Sequence, residues 1–486
     1  MPELSELSSR LVVGLEGRAL TSAEKNWLQQ YRPAGVILFA RNVIGRGQLE
    51  NLVASVRSVL PATGEIVADH EGGAVSVLAA ALGRPPAAFG LGVLDDTRLT
   101  LEVHRQSGQL MRDVGVTRVL APCADVLVES TNPVIGSRAF GCSMELVSRH
   151  VVAAVTGLLA GGVAVCLKHW PGHGGSTHDS HAGLAEWGDG RLSEPFVAGI
   201  RAGAESLLIG HLTPPVTTND LRLPATLDPD LLAEARSLLR PGRGSLYADD
   251  VTMGALADVM RQLDVETPAP GADGLLDPAQ LPAAWFAALC DAGCDRLLCR
   301  GIPWSAFPAW PAHDDRVIAN TAPASVSDSS TLDPAADPTD PEVFETVRHR
   351  LARRISPPFS LAPGGDLYWL DTTAGDRWGD AGVLHPLLNT VYRSIHSLGS
   401  ILTADPVLSM ETLLVTSFRH LPTGYLRERL ADHPIASSGD CLVMGHPSLG
   451  KSLRQVLPRD WLVHELFDIR CEDLRPFLAT EGPGGS

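Results

Sequence analysis

Eight short apolar runs, spread through the first 300 residues and separated by helical patterns, constrain this chain more than any other feature. They lie at 11–15, 36–40, 65–68, 118–122, 163–167, 206–209, 244–248 and 296–299. None alternates between apolar and polar positions, which is the pattern of strands covered on both faces. Between them, 48–60, 99–114, 144–159, 229–239 and 278–292 repeat apolar residues at helical spacing. Asp228 before Pro229, and Asp277 before Pro278, supply an N-cap followed by proline in the first helical turn. This alternation predicts an α/β fold, a (β/α)8 barrel of the TIM type, over residues 1–319.

The polar residues support the same fold independently. Directly after the runs come Glu16, Asp69 with Glu71, Asp125, Lys168 with His169, His211, and Asp249 with Asp250. In a parallel barrel these positions are the carboxyl ends of the strands, where loops from distant parts of the chain converge on one pocket. The densest stretch is 168–181, KHWPGHGGSTHDSH, with four histidines, a lysine and an aspartate in fourteen residues. Its four glycines and prolines predict a shaped loop from residue 168 onward. Imidazole exchanges its proton near neutral pH, so such a loop points to acid/base work or to metal binding. Asp179 stands two residues from His181, close enough to fix an imidazole tautomer and to stabilise its cation.

Composition narrows the partners. With 44% hydrophobic and 20% charged residues the chain reads as soluble and globular. A net charge of −17 disfavours nucleic acid and anionic membrane, each of which attracts a basic face. No run of about twenty apolar residues occurs, and the opening MPELSELSSRLVVG lacks the basic start and apolar stretch of an export leader. A cytoplasmic location is the expectation. The eight cysteines include no CxxC pair, as suits a reducing compartment. Cys290, Cys294 and Cys299 fit a helix followed by a buried strand better than a metal site.

Residues 320–341 are rich in Pro, Ser, Asp and Ala and read as a linker. Residues 342–486 then predict a smaller α/β domain with a parallel sheet: a helix at 342–355, strands at 367–370, 412–417 and 441–444, and helical stretches at 424–430 and 449–456. The segment 445–451, GHPSLGK, lacks the spacing of a phosphate loop.

Taken together, the motifs resemble the family 3 glycoside hydrolases, in their β-N-acetylglucosaminidase branch. The family's loop KHFPGHGDT, two further residues and DSH is matched by 168–181, with Trp170 as the aromatic. DHEGG at 69–73, NPVIGSRAFG at 132–141, His211, PATL at 224–227 and DDVTMGA at 249–255 follow in the family's order. The resemblance implies a retaining hydrolase of terminal N-acetylglucosaminides, small carbohydrate substrates, with no cofactor and no metal. Asp249 matches the nucleophile, and His181 with Asp179 matches the acid/base pair. Asp69, Arg138, Lys168, His169 and His211 match positions that bind the sugar or brace its pocket. Three positions depart from the family pattern: Ala74 stands for an arginine, Gly175 for an acid and His70 for a glutamine. Three other readings compete: a phosphorylase of the same branch, a non-catalytic sugar-binding protein, and a metallohydrolase using His169, His173, His178 and His181.

Overall fold

In the computed structural model the described residues are 4–130, 132, 134–176, 184–187, 192–214, 223–271, 274–308 and 342–352, together with the strands and short helical pieces of the C-terminal part. Eight parallel strands close into a barrel: β1 (Leu11–Gly14), β2 (Gly35–Leu38), β3 (Glu65–Ala68), β4 (Arg118–Val119), β5 (Ala164–Trp170), β6 (Ser206–Ile209), β7 (Ser245–Ala248) and β8 (Arg296–Cys299). The ring closes where Leu11, Val12 and Val13 of β1 pair with Leu297, Leu298 and Cys299 of β8. Each apolar run is therefore a strand, in chain order round the barrel.

Unalternating runs are needed because both strand faces are covered. One set of side chains, Val12, Ile37, Val67, Leu120, Cys166, Leu208, Tyr247 and Leu298, fills the interior with one residue from each strand or its immediate end. The opposite faces join the surrounding helices in the main core. At the amino end of the barrel Arg118 donates to Glu65 (2.9 Å) and Ser206 (3.1 Å), and the Tyr247 hydroxyl donates to Glu65. These groups form a polar floor beneath the apolar layer.

The helices follow their sequence signals, with shifts that have local causes. Asp96 caps Thr97–Asp113 by accepting from the N–H groups of Arg98 and Leu99, and Asp228 caps Pro229–Leu238 in the same way. The single helix expected over 278–292 is instead a 3-10 turn, Pro278–Gln280, followed by the helix Ala283–Ala292. Pro282 between them has no N–H for an interior helical bond. Met144–Gly161 is long and apolar enough to cross a membrane by length and composition, but half of it is buried. It packs between Thr97–Asp113 and Glu194–Arg201 as an outer barrel helix.

The linker expected at 320–341 lies outside the described residues. The helix Glu342–Ala352 lies against Ala88–Leu94 and Thr97–Asp113, with Phe344 and Val347 fully buried in the barrel's own core. Arg350 pairs with Asp96 at 2.8 Å. The C-terminal part forms a five-stranded parallel sheet of β9 (Asp366–Asp371), β10 (Ser394–Ser397), β11 (Met410–Ser417), β12 (Ile435–Gly445) and β13 (Asp460–Leu466), in the order β10-β9-β11-β12-β13. Three of these strands contain the runs read from sequence. The other two, SIHS and DWLVHEL, are too short or too mixed in polarity to stand out.

Candidate active site

The carboxyl ends of β3, β4, β5, β6 and β7 bring their polar residues together. At β3, Asp69 leads into a hairpin, His70–Gly72 against Val75–Ser76. The two glycines of DHEGG are required here. Gly72 and Gly73 have φ of +112° and +55°, and a Cβ on Gly72 would stand 2.4 Å from the Pro86 carbonyl oxygen. The turn drives Glu71 inward, where it is 7% exposed.

β5 runs three residues beyond the expected strand end, to Trp170. Its pairing with β6 slips between Leu167 and Trp170, which face Leu207 and Ile209. One extra residue therefore sits on β5, a bulge that re-aims the side chains. Trp170 turns outward onto Phe196 at 5.5 Å. Lys168 and His169, although consecutive, both reach partners from neighbouring strand ends. The Lys168 ammonium bridges Asp69 and Glu71. Arg138, on a 3-10 turn Gly136–Arg138, grips Glu71 with two bonds of 3.0 and 2.8 Å and places Nη2 3.0 Å from His169 Nε2.

That last contact assigns a proton. A guanidinium only donates, so His169 Nε2 accepts and the ring hydrogen sits on Nδ1. Nδ1 then donates to Asp125 Oδ2 at 2.7 Å. Asp125 also accepts the N–H groups of His169 (3.1 Å) and His173 (2.6 Å). Its pKa is held far below the carboxylate range: burial opposes ionisation, but the hydrogen bonds from the His169 ring and the His173 N–H outweigh it. Glu71 is likewise held ionised. Burial raises it, yet Arg138 and Lys168 bring it down to about 2.

Asp249 ends β7 on the same rim, half-buried, with its Oδ1 accepting the Asp250 N–H at 2.8 Å. Burial pushes its pKa up, but its surroundings, the Asp250 N–H and the Lys168 ammonium among them, lower it below the usual value. His211 is 1% exposed. Its Nε2 lies 3.1 Å from the Asp250 carbonyl oxygen and so carries the hydrogen, while Nδ1 accepts from the Thr226 hydroxyl at 2.9 Å. The PATL motif thus supplies the side chain that fixes His211. Asp250 turns to Thr252, accepting from its N–H and its hydroxyl, and burial raises its pKa.

The loop after β5 is held from the β4 side. Asn132 donates to the carbonyls of His173 (2.8 Å) and Ser176 (2.9 Å) and accepts from the N–H groups of Val134 and Ile135. Gly174 lies so close to β4's extension that a Cβ would meet the Val126 carbonyl oxygen at 1.8 Å. Asp179 and His181, together with His178, lie outside the described residues.

The structure therefore gathers Asp69, Arg138, Lys168, His169, His211 and Asp249 at one end of the barrel. Glu16 stays out; it is exposed, and its N–H bonds to Glu24. Glu71 and Asp125 belong to the cluster although motif matching alone assigned them no role. Their position just past an apolar run was the available signal. Among the described residues, Cys123, Asp125 and His169 are the one group with metal-ligand atoms within 4.8 Å of one another. Their protons are already committed: the Cys123 thiol and His169 Nδ1 both donate to Asp125 Oδ2, and Arg138 sits on the ring's other nitrogen. His70 is buried beside Arg84, and burial lowers its pKa to about 3.

A family model, the glycosyl hydrolase family 3 N-terminal domain, matches residues 3–273. The chain belongs to glycosyl hydrolase family 3. It is a glycoside hydrolase. A β-hexosaminidase of Xanthomonas axonopodis pv. citri is 34% identical over 264 residues, 50% of this chain and 75% of that protein. A solved NagZ of Neisseria gonorrhoeae, in complex with N-trifluoroacetyl-D-glucosamine, is 28% identical with a TM-score of 0.50, covering 60% of this chain and 81% of that one. A family 3 β-N-acetylglucosaminidase from Paenibacillus sp. str. FPU-7 shares the fold over 98% of this chain and 95% of its own, at a TM-score of 0.71 and 19% identity. Within the family 3 frame the cluster at the strand ends is the candidate active site.

Proposed function

We propose that this hydrolase is a retaining exo-β-N-acetylglucosaminidase that removes terminal N-acetylglucosamine from cell-wall-derived or related glycosides in the cytoplasm. Asp249 attacks the anomeric carbon, and His181, partnered by Asp179, protonates the leaving oxygen and later activates water. The observation that carries this reading is Asp249 itself. It is a half-buried carboxylate at a strand end, held ionised by the Asp250 N–H and the Lys168 ammonium. A nucleophile must be unprotonated at working pH, and this environment keeps it so.

Glu71 supports the assignment by elimination. With a pKa of about 2 it has no proton to give near neutral pH, so the general acid is sought in the loop that carries His181. Lys168 and Arg138 balance the charges of Glu71 and Asp69, so these four side chains together present no net charge to a neutral sugar. The free thiols described in the chain agree with a reducing compartment, and the relatives named above are hexosaminidases. Aryl β-glycosides that differ only at the 2-position test the reading. The N-acetyl sugar is expected to be cleaved fastest, and equal or faster cleavage of the glucoside refutes the specificity. Added phosphate is expected to leave the product as free sugar; accumulation of a sugar 1-phosphate identifies a phosphorylase instead.

A further inference from the structure

We infer that Asp125 is a positioning residue of this active site, one carboxylate that sets both the tautomer of His169 and the course of the loop leading to the acid/base pair. Asp125 is 1% exposed and receives four donors: His169 Nδ1–H, His169 N–H and the Cys123 thiol on Oδ2, and His173 N–H on Oδ1. Every partner donates, so only the ionised form satisfies them all.

The two halves of this arrangement act on different parts of the site. Through Nδ1, Asp125 turns the imidazole so that Nε2 presents a lone pair to Arg138, whose other bonds hold Glu71 and, through it, Lys168. If the hydrogen moved to Nε2 it would face the guanidinium donors, and the Arg138 contact would be lost. Through the His173 N–H, Asp125 ties β4 to the fifth residue after Lys168, with Asn132 holding the carbonyl of the same residue. Because 173–176 lead directly into 177–183, the chain carrying Asp179 and His181 leaves from a point fixed on both its N–H and its carbonyl. Asp125 does not touch the sugar in this scheme. It acts through His169 and through the backbone.

The test uses the full chain and whichever aryl glycoside the wild type turns over fastest, so it does not depend on the sugar preference proposed above. First, the ring tautomer of His169 in the wild type is read by nitrogen-15 NMR, identified by loss of its signal in His169→Gln. Nδ1–H is expected; an Nε2–H tautomer overturns the inference whatever any variant does. Second, Asp125→Asn keeps the shape but places an NH2 against at least one N–H donor. It is expected to retain its circular dichroism and to lose at least about 100-fold in kcat with KM within about threefold. A folded variant with kcat within about threefold of wild type, or one whose whole loss is in KM, overturns it. Should Asp125→Asn fail to fold, the wild-type tautomer decides. A failed sugar preference would appear as a different best substrate and leave both readouts in place.

Discussion

Asp249 carries the proposed chemistry, and its position makes that separable from folding. It stands half-buried at a strand end, so Asp249→Ala is expected to fold as the wild type does while losing nearly all turnover. Because its pKa is lowered, the acid limb of kcat/KM is expected below the ordinary carboxylate range, not within it. His181→Ala should slow glycosides with poor leaving groups far more than nitrophenyl ones, since a good leaving group needs little protonation; equal slowing of all substrates would make His181 a scaffold residue. Glu71 offers a stability test. A carboxylate whose pKa falls on folding from 4.5 to about 2 stabilises the fold above its unfolded value and loses that contribution as pH drops towards 2. Glu71→Gln is therefore expected to cost on the order of 3 kcal/mol at pH 7. Its denaturation midpoint should also fall less steeply than that of the wild type between about pH 4.5 and 2.

At the scale of elements, β5 shows how the barrel delivers two adjacent side chains to one pocket. A regular strand would point Lys168 and His169 to opposite faces; the bulge against β6 removes that conflict, and Trp170 anchors the strand end on Phe196. The opposite end of the barrel is organised by charge. Arg118 reaches Glu65 and Ser206 across three strands, and Tyr247 adds a fourth. Arg118→Met would leave the largely buried Glu65 without its cation and is expected to lower unfolding free energy by about 3 kcal/mol, measured by urea denaturation. Activity at saturating substrate should be unchanged, because this floor lies beneath the apolar layer, away from Asp249.

For the whole molecule, the helix Glu342–Ala352 extends the barrel's own packing past residue 319. Phe344 and Val347 complete the barrel's outer core, and Arg350 pairs with the cap residue Asp96. A chain cut after residue 319 exposes that apolar surface, whereas one cut after 352 keeps it covered. The longer fragment is expected to melt several degrees higher and to stay monodisperse where the shorter one aggregates; equal melting temperatures would show that the helix adds nothing to the barrel. The five-stranded parallel sheet beyond it lies within the span shared with the Paenibacillus fold.

The barrel was legible in the chain because burial on both faces leaves a clear trace, eight unalternating apolar runs, six of them followed by the polar residues named above. The same rule exposed the strand-end residues from Asp69 to Asp249, and the ordered motifs carried the family. Other features were decided only in three dimensions. The side-chain partners of Glu71 and Asp125 come from residues 67 and 44 positions away, Arg138 and His169. No local pattern records such a pairing. The bulge in β5 depends on the register of β6, and the docking of Phe344 depends on helices more than two hundred residues earlier. Local periodicity reports which face of an element is buried; it holds no information about which distant donor meets a given carboxylate, and that meeting is what gives this site its charges.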